Sequence, residues 1–382
     1  MSKILEFIAK NTDGHSYKSF KYCFDAVFVP QIEYDDKKEK IDIKKKGETE
    51  ALTSTRNIKD LSQSDLIRKK TLFRFFLDGS RRTYKVDDLR YGKRIYPAVA
   101  GQIGIACCER KSKDVFEPFE FNKSIVISIP ERANSGSHKT EFFFNSLLSK
   151  LNEQEYLKKR NIQFSKILYY TDREGDEYEK KAIATIQDEM IDNEKRLVSD
   201  LAKKRVLNYN SYLLKDGSLE YGKMPNKEEF GELSKIKANF SCVVGVSKAF
   251  NPETLSQANP NISKIIADLK LYHRTPAMKY TTERVGDVWF SVWYLRIRDV
   301  KYGQSPYDGI VKIEKILVSD NEIEYGLETD EVDNISAHII NESFPVCYGQ
   351  DSRWAKHLYP IYLTEQYVKS KYISDLHFIN LF

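Results

Sequence analysis

The chain of 382 residues contains no uninterrupted apolar stretch near the roughly 20 residues that a membrane-spanning helix requires. Its opening Met-Ser-Lys-Ile-Leu-Glu-Phe lacks the apolar core of a secretory signal, so no export is expected. The five cysteines, Cys23, Cys107, Cys108, Cys242 and Cys347, are odd in number and form no Cys-x-x-Cys pair. A disulfide scaffold and a zinc ribbon are therefore disfavoured, and a reducing cytoplasm is expected. His15, His138, His273, His338 and His377 show no ligand spacing. Neither a phosphate-binding Gly-x-x-x-x-Gly-Lys-Ser/Thr loop nor a Gly-x-Ser-x-Gly nucleophile elbow is present. No internal repeat is visible. A strong net charge is missing too: 61 Lys+Arg against 56 Asp+Glu leave +5, which permits a polyanionic partner without requiring one.

What is present is a chain with 41% apolar and 13% aromatic residues, enough for a substantial core. The charged run 35–46 reads as a solvated loop or the flank of an edge strand, and 47–64 as a polar connector. Residues 26–30 read as a short strand ending at Pro30. Thr71 to Leu77 predicts a strong strand that stops at an Asp78-Gly79-Ser80 turn. Further strands are expected at 82–86, 98–108, 124–129, 211–215, 240–247, 288–297 and 309–316. Ile183, Ile186, Met190, Ile191, Leu197, Val198 and Leu201 recur at helical spacing, which predicts one long amphipathic helix over 174–205. A closing helix is expected from Tyr359 to about Ile373. Strands, a long helix, more strands and a final helix predict a mixed α/β fold. Residues 1–65 form an N-terminal elaboration, a candidate partner-docking region, and 66–382 the principal domain.

The informative acids are those out of place on a surface. Asp78 and Asp216 each follow an apolar strand and each open an Asp-Gly-Ser sequence. Turn chemistry accounts for either one alone, but strand ends in α/β sheets are also where ligands gather. Glu194 has Met190, Ile191, Leu197 and Val198 three and four positions away, so helical geometry puts it inside the buried stripe. Glu189 is expected nearer the solvated face. A buried carboxylate needs a partner or a metal, and the alternative for Glu194 is an ion pair with Arg196 or a sheet arginine. A carboxylate cluster suits Mg²⁺ or Mn²⁺. Lys248, ending an apolar strand, either snorkels to water or meets a phosphate. Arg81 and Arg82 are candidate DNA contacts or plain surface charges. Trp289, Phe290, Trp293 and Tyr294, alternating with Arg296 and Arg298, serve core packing or base stacking.

The order of a strand with Asp-Gly-Ser, hairpin strands, a helix with an inward Glu and a strand with a second Asp is similar to the ribonuclease H-like fold. More specifically, the chain resembles the NurA nucleases over roughly residues 70–375. The motifs are Leu77-Asp78-Gly79-Ser80-Arg81, then Leu213 to Leu219, Gly245-Val246-Ser247-Lys248, and Tyr359-Pro360-Ile361-Tyr362-Leu363. The resemblance implies a ribonuclease H-like mixed sheet flanked by helices and a Mn²⁺- or Mg²⁺-dependent DNA exo- or endonuclease. It also implies a homodimer working with a HerA-type hexameric translocase in DNA end processing or anti-phage defence. Carried over, Asp78, Glu194 and Asp216 are metal-binding acids. The family's histidine after Pro-x-x-Leu is replaced here by Thr364-Glu365-Gln366-Tyr367. Glu365 on the final helix and His357 before the proline are therefore the candidates for the fourth ligand. Two other classes stay open: a catalytically inactive DNA-binding adaptor of a translocase ring, and an Argonaute-like endonuclease. The chain is short for the latter and shows no separate guide-end-binding domain.

Overall fold

The computed structural model describes residues 3–25, 41–44, 46–50, 52–134, 136, 139–173, 177–220, 230–257, 259–282, 286–347 and 353–382. The strand expected at 26–30, most of the charged run at 35–46, and His138 lie outside the described residues. Among the described residues the architecture is mixed α/β, a large mixed sheet flanked by helices.

The centre of the sheet is a meander of three long antiparallel strands, β1 (Phe73–Tyr91), β2 (Arg94–Ser112) and β3 (Val115–Pro130). β2 is buried continuously from Tyr96 to Glu109, which is why that stretch is small and apolar apart from Gln102 and Glu109. β4 (Lys166–Tyr170) adds parallel to β3 at one edge. The chain then crosses the sheet as a long helix (Tyr178–Lys203) and returns as β5 (Tyr212–Asp216), parallel to β1. β6 (Val243–Ser247) lies parallel to β5. β7 (Met278–Thr282), β8 (Phe290–Arg296) and β9 (Ile310–Ile316) extend that wing by antiparallel pairing, giving the order β7-β8-β9-β6-β5-β1-β2-β3-β4.

Two expectations are corrected here. Asp78-Gly79-Ser80 is not a turn: the segments expected as separate strands at 71–77 and 82–86 are one strand. Asp78, Gly79 and Ser80 pair with Ala106, Ile105 and Gly104 of β2. Turn propensity yields to this long antiparallel ladder, in which Ala106 opposite Asp78 and Gly104 opposite Ser80 are small. Glu189 is not on the solvated face but buried, because Lys166 of β4 reaches over it (2.6 Å) and Arg196 lies beside it.

Helices α1 (Lys3–Asn11), α2 (Thr140–Asn152), α3 (the long Tyr178–Lys203), α4 (Phe230–Phe240), α5 (Thr329–Glu342), α6 (Tyr359–Ser370) and α7 (Asp375–Ile379) cover the sheet. One apolar cluster joins α3 to Phe75, Leu77, Leu213 and Val243. A second, on the opposite face, joins α5 and α6 to Phe73, Phe76, Leu214, Val244 and Val246. A third packs α1, α2 and α7 around Tyr84, Val86 and Ile127. Segments of the N-terminal elaboration are built into the sheet. His15–Tyr17 and Tyr22–Cys23 pair with β1, and Ile41–Lys44 pairs with β7.

Phe290, Trp293 and Tyr294 are fully buried, and Arg296 and Arg298 are buried and donate to backbone carbonyls, so this stretch packs the core. Trp289 is half-buried beneath the Lys44 and Lys279 ammonium groups. The five cysteines are unpaired, and Cys107 and Cys108 are buried strand residues. Among the described residues no helix is long and apolar enough to cross a membrane.

Candidate metal centre

Three parallel strands, β1, β5 and β6, set the stage. The pairing of β1 with β5 ends at Leu77 and Lys215, so Asp78 and Asp216 are the next residues on adjacent strands. Lys248 follows the last residue of β6. Strand alternation sends Leu77 and Lys215 toward α3, and Asp78, Asp216 and Lys248 toward α6. Asp78 is only 3% exposed although it lies mid-strand, and Lys248 is 6% exposed, so the lysine does not snorkel to water. Its Nζ donates to Asp216 Oδ2 at 2.9 Å.

Glu365 comes from α6, which packs against β1, β2 and β5. It is buried, and its Oε1 accepts from Lys369 at 2.6 Å, with Arg353 3.9 Å away. Burial, followed by the Asp216 and Glu365 charges, pushes the Asp78 carboxyl well above the usual carboxylate range, with Lys248 opposing. Burial also raises the Asp216 carboxyl, but Lys248, with Lys215 and a hydrogen bond to the Asp78 carboxyl, holds Asp216 below its ordinary value. Lys248 is raised in turn: Asp216, Glu365 and Asp78 overcome its desolvation. Asp78, Asp216, Glu365 and Lys248 thus form one electrostatic unit.

Glu194 lies on the other face. It is buried on α3 as its spacing implied, and a side chain at Gly79 would collide with its carboxylate. Its ion-pair partner is neither Arg196 nor a sheet arginine but Lys215, 2.9 Å away, with both side chains 4% exposed. Burial raises the Glu194 carboxyl and Lys215 counteracts it. His357 is buried, with its ring centroid 5.5 Å from that of Tyr362. Arg81 is tied to Asp25 (3.0 Å) and Gln187 (2.6 Å), and Arg82 to Asp375 (2.5 Å); both are engaged with the protein.

Sequence reasoning missed Lys215, Lys369 and Arg353. Lys215 could have been found. In Tyr212-Leu213-Leu214-Lys215-Asp216 it is the one cation on the inward parity shared with Leu213, facing the helix that carries an otherwise unpaired Glu194.

Among the described residues, no group of three or more His, Cys, Asp or Glu side chains is arranged closely enough to hold an ion. Asp78, Asp216 and Glu365 carry the hard oxygen donors that Mg²⁺ or Mn²⁺ prefers, although Asp216 is already paired with Lys248. Asp78 Oδ2 and Glu365 Oε2 are buried with no hydrogen-bond partner, a costly condition that a cation relieves. Glu194 fits less well, because Lys215 already neutralises it. No protein-family model matches the chain, and no curated protein matches it.

Proposed function

We propose that the chain is a Mn²⁺- or Mg²⁺-dependent DNA nuclease of the NurA type, built on a ribonuclease H-like core. The observation that carries this reading is the pair of buried, unpartnered carboxylate oxygens, Asp78 Oδ2 and Glu365 Oε2, in one electrostatic unit with Asp216 and Lys248. The element order supports it: an acid-bearing strand, two antiparallel strands and, after the inserted α2 and β4, a helix with an inward Glu and a second acid-bearing strand parallel to the first. That is the order the resemblance implies. Action as a homodimer on DNA with a HerA-like translocase belongs to the same proposal and rests on the resemblance alone.

Asp78, Asp216 and Glu365 would hold the ion. When bound, it supplies an activated water and charge neutralisation for phosphodiester hydrolysis. The chain's own residues supply the rest. The β1–β2 ladder fixes Asp78 in place, and burial keeps competing water from its carboxylate. Lys248, held at Asp216, would meet a phosphate oxygen or the charge developing on the leaving oxygen. Glu194 acts through Lys215, whose Nζ also donates to the Asp216 carbonyl at 2.7 Å.

The test is cleavage of labelled single- and double-stranded DNA in Mn²⁺ and in EDTA. Metal-dependent products are expected, abolished in Asp78→Asn and Asp216→Asn with DNA binding retained. Full activity in both purified variants contradicts the reading. A second reading, a DNA-holding adaptor, is favoured by the two lysines that already neutralise Glu194 and Asp216. An absence of metal-dependent products, with and without a translocase ring, supports it.

A further inference from the structure

Asp216 is the last residue of β5, and the chain turns immediately after it, with Gly217 at φ +85°. A side chain ending a strand is held only as firmly as the turn behind it. This turn is gripped from several sides. The Gly217 amide donates to the Val246 carbonyl of β6 at 2.8 Å. The Lys215 ammonium reaches the carbonyls of Asp216 (2.7 Å) and Ser218 (3.4 Å). The turn then folds back over β6 at Gly245, where a side chain would meet the Leu219 Cγ at 2.8 Å and the Gly217 carbonyl oxygen at 2.9 Å. Glycine is required there by this close approach.

The remaining grip comes from one strand further out. Glu314 of β9 stands directly across from Gly245 and is fully buried. Its Oε2 accepts from the Ser218 hydroxyl at 2.7 Å and from the Leu219 amide at 2.8 Å. Its Oε1 takes the Lys312 ammonium at 2.5 Å and lies 3.4 Å from the Tyr280 hydroxyl. Burial raises this carboxyl, but Lys312 and the turn's own donors hold it below its ordinary value, so it stays ionised. A charged acceptor makes shorter and stronger hydrogen bonds than a neutral one. Water does not replace these bonds at the Leu219 amide, because Leu219 is itself fully buried.

We propose that Glu314 is a positioning residue: it clamps the Asp216–Leu219 turn and thereby sets where the Asp216 carboxylate stands relative to Asp78 and Lys248. Nothing in the motif pattern marks it, because it lies about a hundred residues after Asp216 in an alternating strand, Ile310 to Ile316. The consequence for catalysis rests on the nuclease reading; the clamp itself does not.

The experiment compares wild type with Glu314→Gln and Ser218→Ala. Glu314→Gln keeps shape but loses the charge, and Ser218→Ala removes one bond from the turn side while leaving the Glu314–Lys312 pair intact. Amide hydrogen exchange over residues 217–220 is measured first. The proposal expects at least a tenfold faster exchange at Leu219 in Glu314→Gln, with a smaller acceleration in Ser218→Ala and no change in the β1–β2 ladder. Unchanged exchange at Leu219 in a folded Glu314→Gln protein overturns it, whether or not the wild type cuts DNA. Cleavage kinetics and Mn²⁺ titration follow. A tenfold or larger fall in kcat, a KM within twofold of wild type and a several-fold higher Mn²⁺ half-saturation are expected. A merely structural role lowers the melting temperature and leaves kcat per folded molecule and the Mn²⁺ dependence unchanged; that result also overturns the proposal. A wild type that neither cuts DNA nor takes up Mn²⁺ defeats the nuclease reading separately, and the exchange rates at Leu219 still decide the clamp.

Discussion

Two clusters of buried charge sit in the same sheet and are built on opposite principles. In the β8 wing, Arg274, fully buried, binds Glu48 through both carboxylate oxygens (2.9 and 2.8 Å) and Asp333 Oδ1 (2.6 Å). The Ala277 amide donates to Glu48 Oε1 at 2.7 Å, and Arg56 reaches Asp333 Oδ2 at 2.8 Å. Every carboxylate oxygen of that network has a partner. Where the β1–β5 pairing ends, Asp78 of β1 and Glu365 of α6 each leave a buried oxygen without one. Burial of charge alone therefore does not mark a site, since a structural network buries it just as deeply. What separates the two is satisfaction of the acceptors, complete in one case and incomplete in the other.

The contrast can be broken most forcefully at Glu48. Glu48→Ala removes one of the two carboxylates that balance the buried Arg274 guanidinium and leaves the Ala277 amide without its acceptor, and should cost about 3 kcal/mol of unfolding free energy, measured by denaturant titration. A loss under 1 kcal/mol would place the network with ordinary surface ion pairs. The next effect is at His338, on the same helix as Asp333. Burial first, then Arg110 and Lys70, push its imidazole down to about 4. The unfolded chain binds the proton near pH 6.5 and the folded chain only near 4. Stability from this group is therefore complete above 6.5 and falls as pH drops toward 4, by up to about 3 kcal/mol. Glu342, raised to about 7 by burial despite Arg110, has the opposite sign: its contribution is full below its ordinary value and is lost as pH rises through 7. The informative quantity is thus the difference in pH dependence between wild type and His338→Gln. Parallel stability curves for the two proteins would contradict the assignment. The smallest effect is at Asp78. Asp78→Asn relieves crowding among buried acids, and in metal-free buffer it should raise stability by about 1 kcal/mol, the reverse of Glu48→Ala. Equal destabilisation by both would erase the distinction.

Much of this was legible in advance where a local pattern dictates structure. The α3 stripe put Glu194 in the core, and the apolar run before Asp216 gave β5 and its turn. The extent of β1 was not legible, because Asp78-Gly79-Ser80 has turn chemistry and only the long partner strand β2 overrides it. Glu189 was misjudged for a similar reason: its own helix points it outward, and Lys166 from β4 covers it. The division of the acids between two faces depends on strand register, which decides that Lys215 faces Glu194 while Asp216 faces α6. Glu48 and Glu314 gave no signal, since their partners are far away in sequence.

Under the proposed function, the incompletely satisfied acids Asp78 and Glu365, with Asp216, bind a divalent cation. The most direct test is thermal unfolding of metal-free wild type, Asp78→Asn and Asp216→Asn across a Mn²⁺ titration. Ligand binding to the folded state at a hundredfold excess over Kd adds about 2.7 kcal/mol of stability. A saturable, Mn²⁺-dependent rise in wild-type melting temperature that is absent from both variants is predicted. An unchanged wild type, or an equal rise in all three proteins, would contradict cation binding at these acids.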